Sequence, residues 1–288
     1  MKADASPVGS GRADMTVAHA LAEAHRAGVD RLDAQLMLAH LLRHPRGWLI
    51  AHDDVPLGAH HSSRYVQWLE RRGAGEPLAY LLGQAEFCGL TLQVGPEVLI
   101  PRPETELLVE WGMQVLAGWP APPTPARVID LGCGSGAIAL AIRHRHPTAA
   151  VTAVDTSAPA LDLACRNAEA LGLPITPALG NWWSAVAGQR FHLALANPPY
   201  VAPGDPHLEA LRHEPHSALV APEQGMADLH RLIDMAPESL HPGGWLLLEH
   251  GHDQGQPVRE RLRQVGFSEV ETRRDLAGLE RCTGGRFG

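Results

Sequence analysis

Four consecutive residues, Asn197-Pro198-Pro199-Tyr200, have the right types to bind a planar N–H₂ group. They follow an apolar run of strand length, residues 191–196, so we expect them where a buried strand ends. The two prolines supply no N–H, which must end the strand ladder and leave the carbonyl oxygens of Asn197 and Pro198 without ladder partners. The Asn197 side-chain oxygen and one such carbonyl would accept the two N–H bonds, while Tyr200 packs on the flat face. An isolated Asn-Pro-Pro is more often an ordinary turn, so this interpretation depends on the other motifs.

A glycine-rich segment follows another apolar run. Residues 128–131 include Asp130 and lead directly into Gly132-Cys133-Gly134-Ser135-Gly136-Ala137. Glycines allow the backbone to turn sharply and to approach a ligand closely, beside the free N–H groups of the helix that follows. The spacing also satisfies the G-x-G-x-x-A pattern of dinucleotide-binding proteins. Three glycines at alternate positions after an acidic strand end are more similar to the loop that binds S-adenosylmethionine, a cofactor without a pyrophosphate.

Two later positions fit the same cofactor. Asp155 ends the next strand, 23 positions after Gly132, where its carboxylate can accept hydrogen bonds from both ribose hydroxyls. An Asp at a strand end can also cap a helix. Trp182 follows the third strand region, where an adenine ring can stack, although its alternative role is ordinary core. The predicted cofactor-binding residues are Gly132, Cys133, Gly134, Ser135, Gly136, Asp155, Trp182 and Asn197.

These residues require strands and helices in alternation to position them. Strand-like runs alternate with helical patterns, and residues 101–106 open a further helix before them. This alternation predicts a parallel, doubly wound sheet. Residues 270–273 and the chain from Arg281 are expected to add edge strands, one of them antiparallel. The runs are strands at 128–131, 151–154, 191–196 and 245–248, and helices near 138–143, 159–171, 227–240 and 257–265.

The N-terminal third has a different pattern. Within residues 1–85, four or more short helical patterns separated by polar joints predict a small bundle. The period changes after residue 86, and residues 86–102 predict a β-hairpin that ends in Val98-Leu99-Ile100 and links the bundle to the larger domain. Residues 1–13 are expected to form a loose tail, and the Pro-rich residues 119–125 a loop.

Composition narrows the class of protein. The chain has 288 residues, 45% of them apolar, and no apolar stretch of about 18 residues, so we expect a cytoplasmic protein with one large and one small domain. The four cysteines form no C-x-x-C pair and are expected to be reduced and buried, and the 17 histidines are scattered, so we expect no metal site. The net charge of −8 arises after residue 85, where 23 of the 32 acidic but only 15 of the 24 basic residues lie. Such a field disfavours DNA as a partner.

The motifs occur together in the HemK/PrmC family, protein-glutamine N5 methyltransferases that act on class 1 peptide chain release factors, and the chain resembles this family over nearly its whole length. Many methyltransferases share the glycine loop, and adenine and cytosine amino-methylases share Asn-Pro-Pro-Tyr. Residues 101–106 and the helical N-terminus are much more specific to the HemK/PrmC family. Asn181 stands where the family usually has an acidic residue. The matching segments are residues 75–80, 86–87, 99–106, 130–136 and 197–200, Glu214-Pro215, Ala218-Leu219 and residues 248–251.

The resemblance implies an α/β fold, that of S-adenosylmethionine-dependent methyltransferases, with a Rossmann-like, mostly parallel seven-stranded sheet. It implies a substrate-recognition bundle at 1–85, a hairpin linker at 86–102 and a catalytic domain at 103–288. The methyl group would pass from S-adenosylmethionine to the side-chain nitrogen of the glutamine in a Gly-Gly-Gln motif of the release factor. Asn197, Pro198 and Tyr200 would be catalytic, and Asn197, Pro198, Pro199 and Tyr200 would bind the substrate.

Two other substrates are compatible with the same turn. A glutamine of a ribosomal protein could be methylated by the same fold, and only residues 101–106 and the N-terminal segment favour the release factor. A nucleic-acid amino-methyltransferase would use the four residues on a flipped base, but the acidic catalytic half argues against it. We therefore expect class 1 release factors as partners of a monomeric enzyme that binds neither DNA nor membranes.

Overall fold

The computed structural model describes residues 15–119 and 125–288, so the expected tail and most of the Pro-rich loop lie outside the described residues. The chain divides into two compact units, Met1–Leu82 and Gly83–Gly288. None of the helices in the described ranges is long and apolar enough to cross a membrane. All four cysteines lie in these ranges and are free; Cys133 and Cys282 are buried as expected, whereas Cys88 and Cys165 are only half-buried.

The first unit is a bundle of short helices, as the sequence predicts. Polar side chains fix two of the helix starts: Thr16 Oγ1 accepts from the His19 N–H at 3.3 Å, and Asp30 Oδ1 accepts from the Leu32 N–H at 2.7 Å. The core of this unit includes Met37, Tyr65 and other fully buried side chains. Its helices are α1 (Val17–Arg26), α2 (Arg31–Leu42), α3 (Arg46–Ala51), α4 (Gly58–Gly73) and α5 (Leu78–Leu82).

A β-hairpin opens the second unit, but it lies earlier than the sequence predicts. Its strands are β1 (Gln84–Phe87) and β2 (Leu90–Gln93), paired antiparallel around the turn at Cys88 and Gly89. The prediction of a strand at Val98-Leu99-Ile100 is wrong, and the hairpin does not extend over residues 86–102. Val98 is nevertheless buried, so an apolar run that packs outside a ladder imitates a strand in the sequence.

A sheet of seven strands dominates the second unit. Its spatial order is β5-β4-β3-β6-β7-β9-β8, with all pairs parallel except β7 with β9 and β9 with β8. Its strands are β3 (Arg127–Leu131), β4 (Ala150–Asp155), β5 (Thr176–Leu179), β6 (Phe191–Ala196), β7 (Leu240–Glu249), β8 (Phe267–Arg274) and β9 (Glu280–Phe287). The doubly wound, mostly parallel sheet is confirmed, with one antiparallel strand. That strand, β9, lies inside the sheet, so of the two predicted edge strands only β8 lies at an edge.

Five α-helices connect and cover these strands. Alternate residues of β3 face opposite sides: Val128 packs with the cluster that includes α6, α7 and α8 residues, whereas Ile129 packs with the cluster that includes α9 and α10 residues. The helices are α6 (Glu106–Ala117), α7 (Ala137–Arg145), α8 (Ala158–Leu171), α9 (Ala227–Ser239) and α10 (Gly255–Val265). Short 3₁₀ helices lie at Pro103–Thr105, Trp182–Val186, Pro206–Glu209 and His216–Ala218.

The order of the strands reverses at β3, which has β4 on one side and β6 on the other. In open α/β sheets, ligands bind outside the carboxyl ends of the strands at such a reversal. The glycine loop follows β3, Asp155 ends β4, and Asn197 follows β6. The topology therefore brings the three sequence motifs to one edge of the sheet.

Candidate active site

A cavity of about 530 Å³ lies at this edge. The glycine loop, Asp155 and Asn197 all contribute to its wall. Residues that sequence reasoning did not place there, among them Asp228 and Arg231 of α9, complete the lining. The cavity therefore joins the predicted cofactor motif to the predicted catalytic turn.

The three glycines of the loop all have positive φ, at 78° for Gly132, 53° for Gly134 and 82° for Gly136. L-residues with a side chain rarely adopt this conformation. Asp155 holds the middle of the loop, because its Oδ2 accepts from the Gly134 N–H at 2.9 Å while its Oδ1 accepts from the Ser157 N–H at 2.9 Å. Each of its oxygens keeps a second lone pair for a ligand in the cavity that it lines.

Asp130 lies under the loop and is fully buried. Its Oδ2 accepts from the Ala139 N–H at 3.0 Å in the first turn of α7, where the helix dipole favours a negative charge. Its Oδ1 has no hydrogen-bond partner among the described residues. Burial raises the pKa of Asp130 to about 7, and the nearby Asp155 acts in the same direction. An unpartnered buried oxygen beneath a glycine loop is a reason to expect a ligand or an ordered water close by.

Trp182 lies against the other side of the loop. A Cβ built on Gly132 would lie 2.9 Å from Trp182 Cζ3, so the indole ring occupies the space that a side chain at Gly132 would need. The indole Nε1 donates to Asp228 Oδ1 at 3.0 Å, and the ring lines the cavity. The contact of Trp182 with an adenine stays a prediction, while its packing against core residues of one sheet face, which was the alternative, is present.

At the catalytic turn, the pairings of β6 with β3 and with β7 both end at Ala196, as the two prolines predict. Among the described residues we find no donor to the carbonyl oxygens of Asn197 or Pro198. Asn197 and Pro199 line the cavity. Pro198 and Tyr200 do not line it, and Pro198 is buried. The Asn197 Nδ2 donates to Thr105 Oγ1 at 3.1 Å. The roles predicted for these four residues remain predictions.

Tyr200 lies behind the turn. Its hydroxyl donates to Glu249 Oε1 at 3.2 Å, and burial raises the pKa of Tyr200 well above its usual value. Its backbone carbonyl accepts from Gln254 Nε2 at 3.0 Å. A side chain at Gly225 would collide with that same carbonyl, so Gly225 allows another segment to approach the turn closely. The turn is thus held from behind by the start of α10 and by the end of β7.

Arg102, within residues 101–106, contacts Glu214. Both positions belong to the matching segments on which the resemblance depends. The Arg102 guanidinium bonds Glu214 Oε1 at 2.5 Å, and the Ile100 N–H donates to Glu214 Oε2 at 3.1 Å. The Glu214 side chain is only 3% exposed, whereas the Arg102 side chain is 32% exposed. Arg102 and Pro215 both line the cavity. The ion pair therefore fixes one wall of the site.

Glu249 lies behind the turn and received no role from the sequence, although it belongs to the matching segment 248–251. It ends β7, is 1% exposed, and its Oε2 has no hydrogen-bond partner among the described residues. Burial raises the pKa of Glu249 to about 7, while Thr105, Tyr200 and the charge of Arg281 act in the opposite direction. The signal in the sequence is a Glu at the end of an apolar strand that ends beside the other motifs.

These groups fit S-adenosylmethionine. The loop supplies backbone N–H groups at a helix start, Asp155 supplies acceptors for a diol, and Trp182 supplies a ring face. The neighbouring Cys133, Ile138 and Ala160 give the same cavity apolar surface. Within the described ranges, no group of three His, Cys, Asp or Glu side chains is arranged to hold a metal ion.

Comparisons with known proteins agree with this geometry. The PrmC N-terminal domain model matches residues 16–83, and the methyltransferase small domain model matches residues 109–214. A release factor glutamine methyltransferase of Bordetella pertussis is 48% identical over 261 residues, which cover 90% of this chain and 95% of the relative. The chain belongs to the release factor glutamine methyltransferase family.

Other members and a solved structure extend the comparison. The Salmonella typhimurium member of this family is 48% identical over 260 residues, covering 89% of this chain and 92% of the relative. A methyltransferase structure from Pyrococcus furiosus has a TM-score of 0.52 at 19% identity and covers 78% of this chain and 98% of its own. At that identity the structural likeness shows the methyltransferase fold. The fold and the family predicted from the sequence are confirmed, and S-adenosylmethionine is the cofactor of this methyltransferase.

Proposed function

We propose that this protein transfers a methyl group from S-adenosylmethionine to the side-chain amide nitrogen of the glutamine in the Gly-Gly-Gln motif of a class 1 release factor. One observation supports it above the others. The Asn197 Nδ2 is engaged by Thr105, and its Oδ1 accepts no hydrogen bond from the described residues, in a cavity shared with the glycine loop. An open amide oxygen there is an acceptor for a substrate N–H.

The cofactor, when bound, supplies an electrophilic methyl group on a sulfonium. The backbone N–H groups of the glycine loop and the carboxylate of Asp155 would hold it, with the Trp182 ring against its adenine. Asp228 accepts from the Trp182 Nε1 and keeps Oδ2 available in the same cavity. Asp228 therefore places a carboxylate near the position where the family usually has an acidic residue and this chain has Asn181.

The residues of the turn would act by positioning the nucleophile. An amide nitrogen is a weak nucleophile because its lone pair is delocalised into the carbonyl. The Asn197 Oδ1 and the Pro198 carbonyl oxygen would accept its two N–H bonds and fix its orientation for an in-line displacement. Attack needs no strong base beforehand, and the proton can leave to water afterwards. Tyr200 supports this arrangement from behind, through its hydrogen bond to Glu249.

Mass spectrometry tests the proposal directly. A release factor incubated with the protein and S-adenosylmethionine should gain one methyl group on the Gly-Gly-Gln glutamine. A ribosomal protein and a single-stranded oligonucleotide, offered separately under the same conditions, should remain unmodified. Methylation of either one with an unmodified release factor would replace the proposed substrate.

The Asn197→Ala variant tests the turn. We expect single-turnover methyl transfer to fall roughly 10²-fold to 10³-fold, about 3 to 4 kcal/mol, by analogy with the removal of one oxyanion-hole donor. Cofactor affinity should change much less, because the glycine loop and Asp155 remain. Near-normal transfer by the folded variant would remove Asn197 from the catalytic assignment.

The proposed substrate is a translation factor, so the proposed place of action is the cytoplasm. A monomeric enzyme without a DNA partner remains the prediction, and the acidic balance after residue 85 supports the second part.

A further inference from the structure

The starting point is a buried threonine beside the turn. Thr105 ends the 3₁₀ helix Pro103–Thr105 and directly precedes α6, with a φ of −67° and a ψ of −21°. Its side chain makes no hydrogen bond to the start of α6. Its Oγ1 instead accepts from the Asn197 Nδ2 at 3.1 Å, across 92 positions of sequence. The residue is only 4% exposed, so this hydroxyl is committed to the site and not to solvent or to its helix.

The second observation is what lies on the other side of Thr105. Glu249 is buried with an unpartnered Oε2, and the Thr105 hydroxyl is one of the two neighbouring hydroxyls that lower the pKa of Glu249. The charged groups around Glu249 are Arg281 of β9, which lowers its pKa, and Glu104 beside Thr105, which raises it. Thr105 therefore lies between the Asn197 amide, which donates to it, and the buried carboxyl group of Glu249.

We propose that Thr105 is a positioning residue that fixes the side-chain amide of Asn197 with Nδ2 toward the protein and Oδ1 toward the cavity. This inference depends on the proposed function, since it concerns the orientation of the group that would accept a substrate N–H. A 180° rotation of the Asn197 amide would place its N–H₂ group where an acceptor is needed. The N–H₂ groups of Asn197 and of the substrate glutamine would then face each other, and neither can accept. Because the Thr105 Oγ1 accepts from Nδ2 at 3.1 Å, it holds the amide in the one orientation that is useful.

Matched substitutions separate this role from packing. Thr105→Val keeps the β-branched shape and removes the acceptor, whereas Thr105→Ser keeps the hydroxyl and removes a methyl group. As a control, Thr283→Val removes another fully buried hydroxyl of the same unit, one bonded to His250 Nε2 and to Thr272 Oγ1 at 2.7 Å each. All variants are compared by single-turnover methyl transfer to a release factor, with cofactor titration of the same samples to count the folded protein.

We expect kcat of Thr105→Val to fall roughly 10-fold to 30-fold, less than for Asn197→Ala because the amide oxygen is still present but no longer held. KM for the release factor and the Kd of the cofactor should stay within about twofold, and Thr105→Ser should recover kcat to within about threefold of the parent. Thr283→Val should keep kcat. If Thr105→Val does not fold, Thr105→Ala compared with Thr105→Ser isolates the same hydroxyl.

A double-mutant cycle supplies the decisive measurement. If Thr105 acts through Asn197, Thr105→Val in the Asn197→Ala background should lower kcat by less than about twofold further. Fully additive effects of the two substitutions on kcat, or an unchanged kcat in Thr105→Val alone, would overturn the inference. The proposed function would still stand in that case if the parent protein methylates the release factor. A parent protein that does not methylate the release factor at all would instead refute the proposed function.

Discussion

The Gly132→Ala variant tests the contact between the glycine loop and Trp182. Gly132 has a φ of 78°, and an added Cβ would lie 2.9 Å from Trp182 Cζ3 and 3.2 Å from Cη2. The left-handed conformation costs an L-residue about 1 to 2 kcal/mol in the folded state. A contact of 2.9 Å cannot be accommodated without movement, so the indole ring must also shift away from the loop.

The effect on the cofactor follows from that shift. Aromatic packing of one ring on another is worth about 0.5 to 1.5 kcal/mol beyond its buried area. Losing most of it at the Trp182 face should weaken S-adenosylmethionine binding about 3-fold to 10-fold. The hydrogen bond from Trp182 Nε1 to Asp228 Oδ1 limits how far the ring can move, so we do not expect complete loss of binding.

Gly172→Ala is the matched control. Gly172 is the C-cap of α8 with a φ of 64°, and a Cβ there would have nothing within 4 Å. Both variants should lose about 1 to 2 kcal/mol of unfolding free energy, whereas only Gly132→Ala should lose cofactor affinity. The measurements are denaturant unfolding and calorimetric titration with S-adenosylmethionine. Equal affinities of the two variants would refute the proposed packing of Trp182 on the cofactor.

Three further outcomes are expected. Gly134→Val places a β-branched side chain at a φ of 53° and should weaken cofactor binding more than about 10-fold in titration; parent-like affinity would remove the loop from the site. Deleting residues 1–82 should raise KM for the release factor far more than the Kd of the cofactor, and an unchanged KM would exclude a recognition role for the bundle. Glu249, with a pKa of about 7 when folded, binds its proton more tightly than the unfolded chain, whose Glu has a pKa of about 4.3. The stabilisation that the bound proton of Glu249 provides is therefore lost as pH rises from about 4.3 to about 7. As pH rises from 5 to 8, the unfolding free energy of Glu249→Gln should increase by about 2 to 3 kcal/mol relative to that of the parent, as measured by denaturant unfolding. Parallel pH profiles of the two proteins would contradict the raised pKa.

Much of the fold could be predicted because buried parallel strands have a distinct pattern. The runs at β3, β4 and β6 were identified to within one or two residues. Strand β5 gave no such run, since it is four residues long, contains Pro177 and is mostly exposed at the sheet edge. Strand β7 begins five residues before the predicted Trp245, because residues 241–244 include a proline and two glycines that are typical of a turn.

The cavity wall was harder to predict than the motifs. Asp155 could be found because it ends a strand, and Asn197 because it follows one, and both strands end beside the switch point. Asp228 lies on a helix that no motif marks, and the contact of Thr105 with Asn197 spans 92 positions. Such contacts depend on the packing of helices on the sheet, and local sequence does not record that packing. The resemblance supplied residues 101–106 as a segment, but not the atoms that they contact.

The glycine pattern shows how one sequence signal can have several physical causes. All three glycines were expected to let the backbone approach a ligand. The structure assigns them different neighbours: Gly132 faces the Trp182 ring, a Cβ on Gly136 would lie 3.1 Å from the Ala164 Cβ of α8, and Gly134 has only Val98, at 4.0 Å. Gly132 is thus required by the residue that lines the cofactor cavity, and Gly136 by the packing of a helix on the loop. Only Gly134, whose N–H is held by Asp155, has a conformational requirement without a close neighbour. A side chain at each position should therefore fail in a different way: by moving Trp182, by separating α8 from the loop, or by straining the backbone that Asp155 holds.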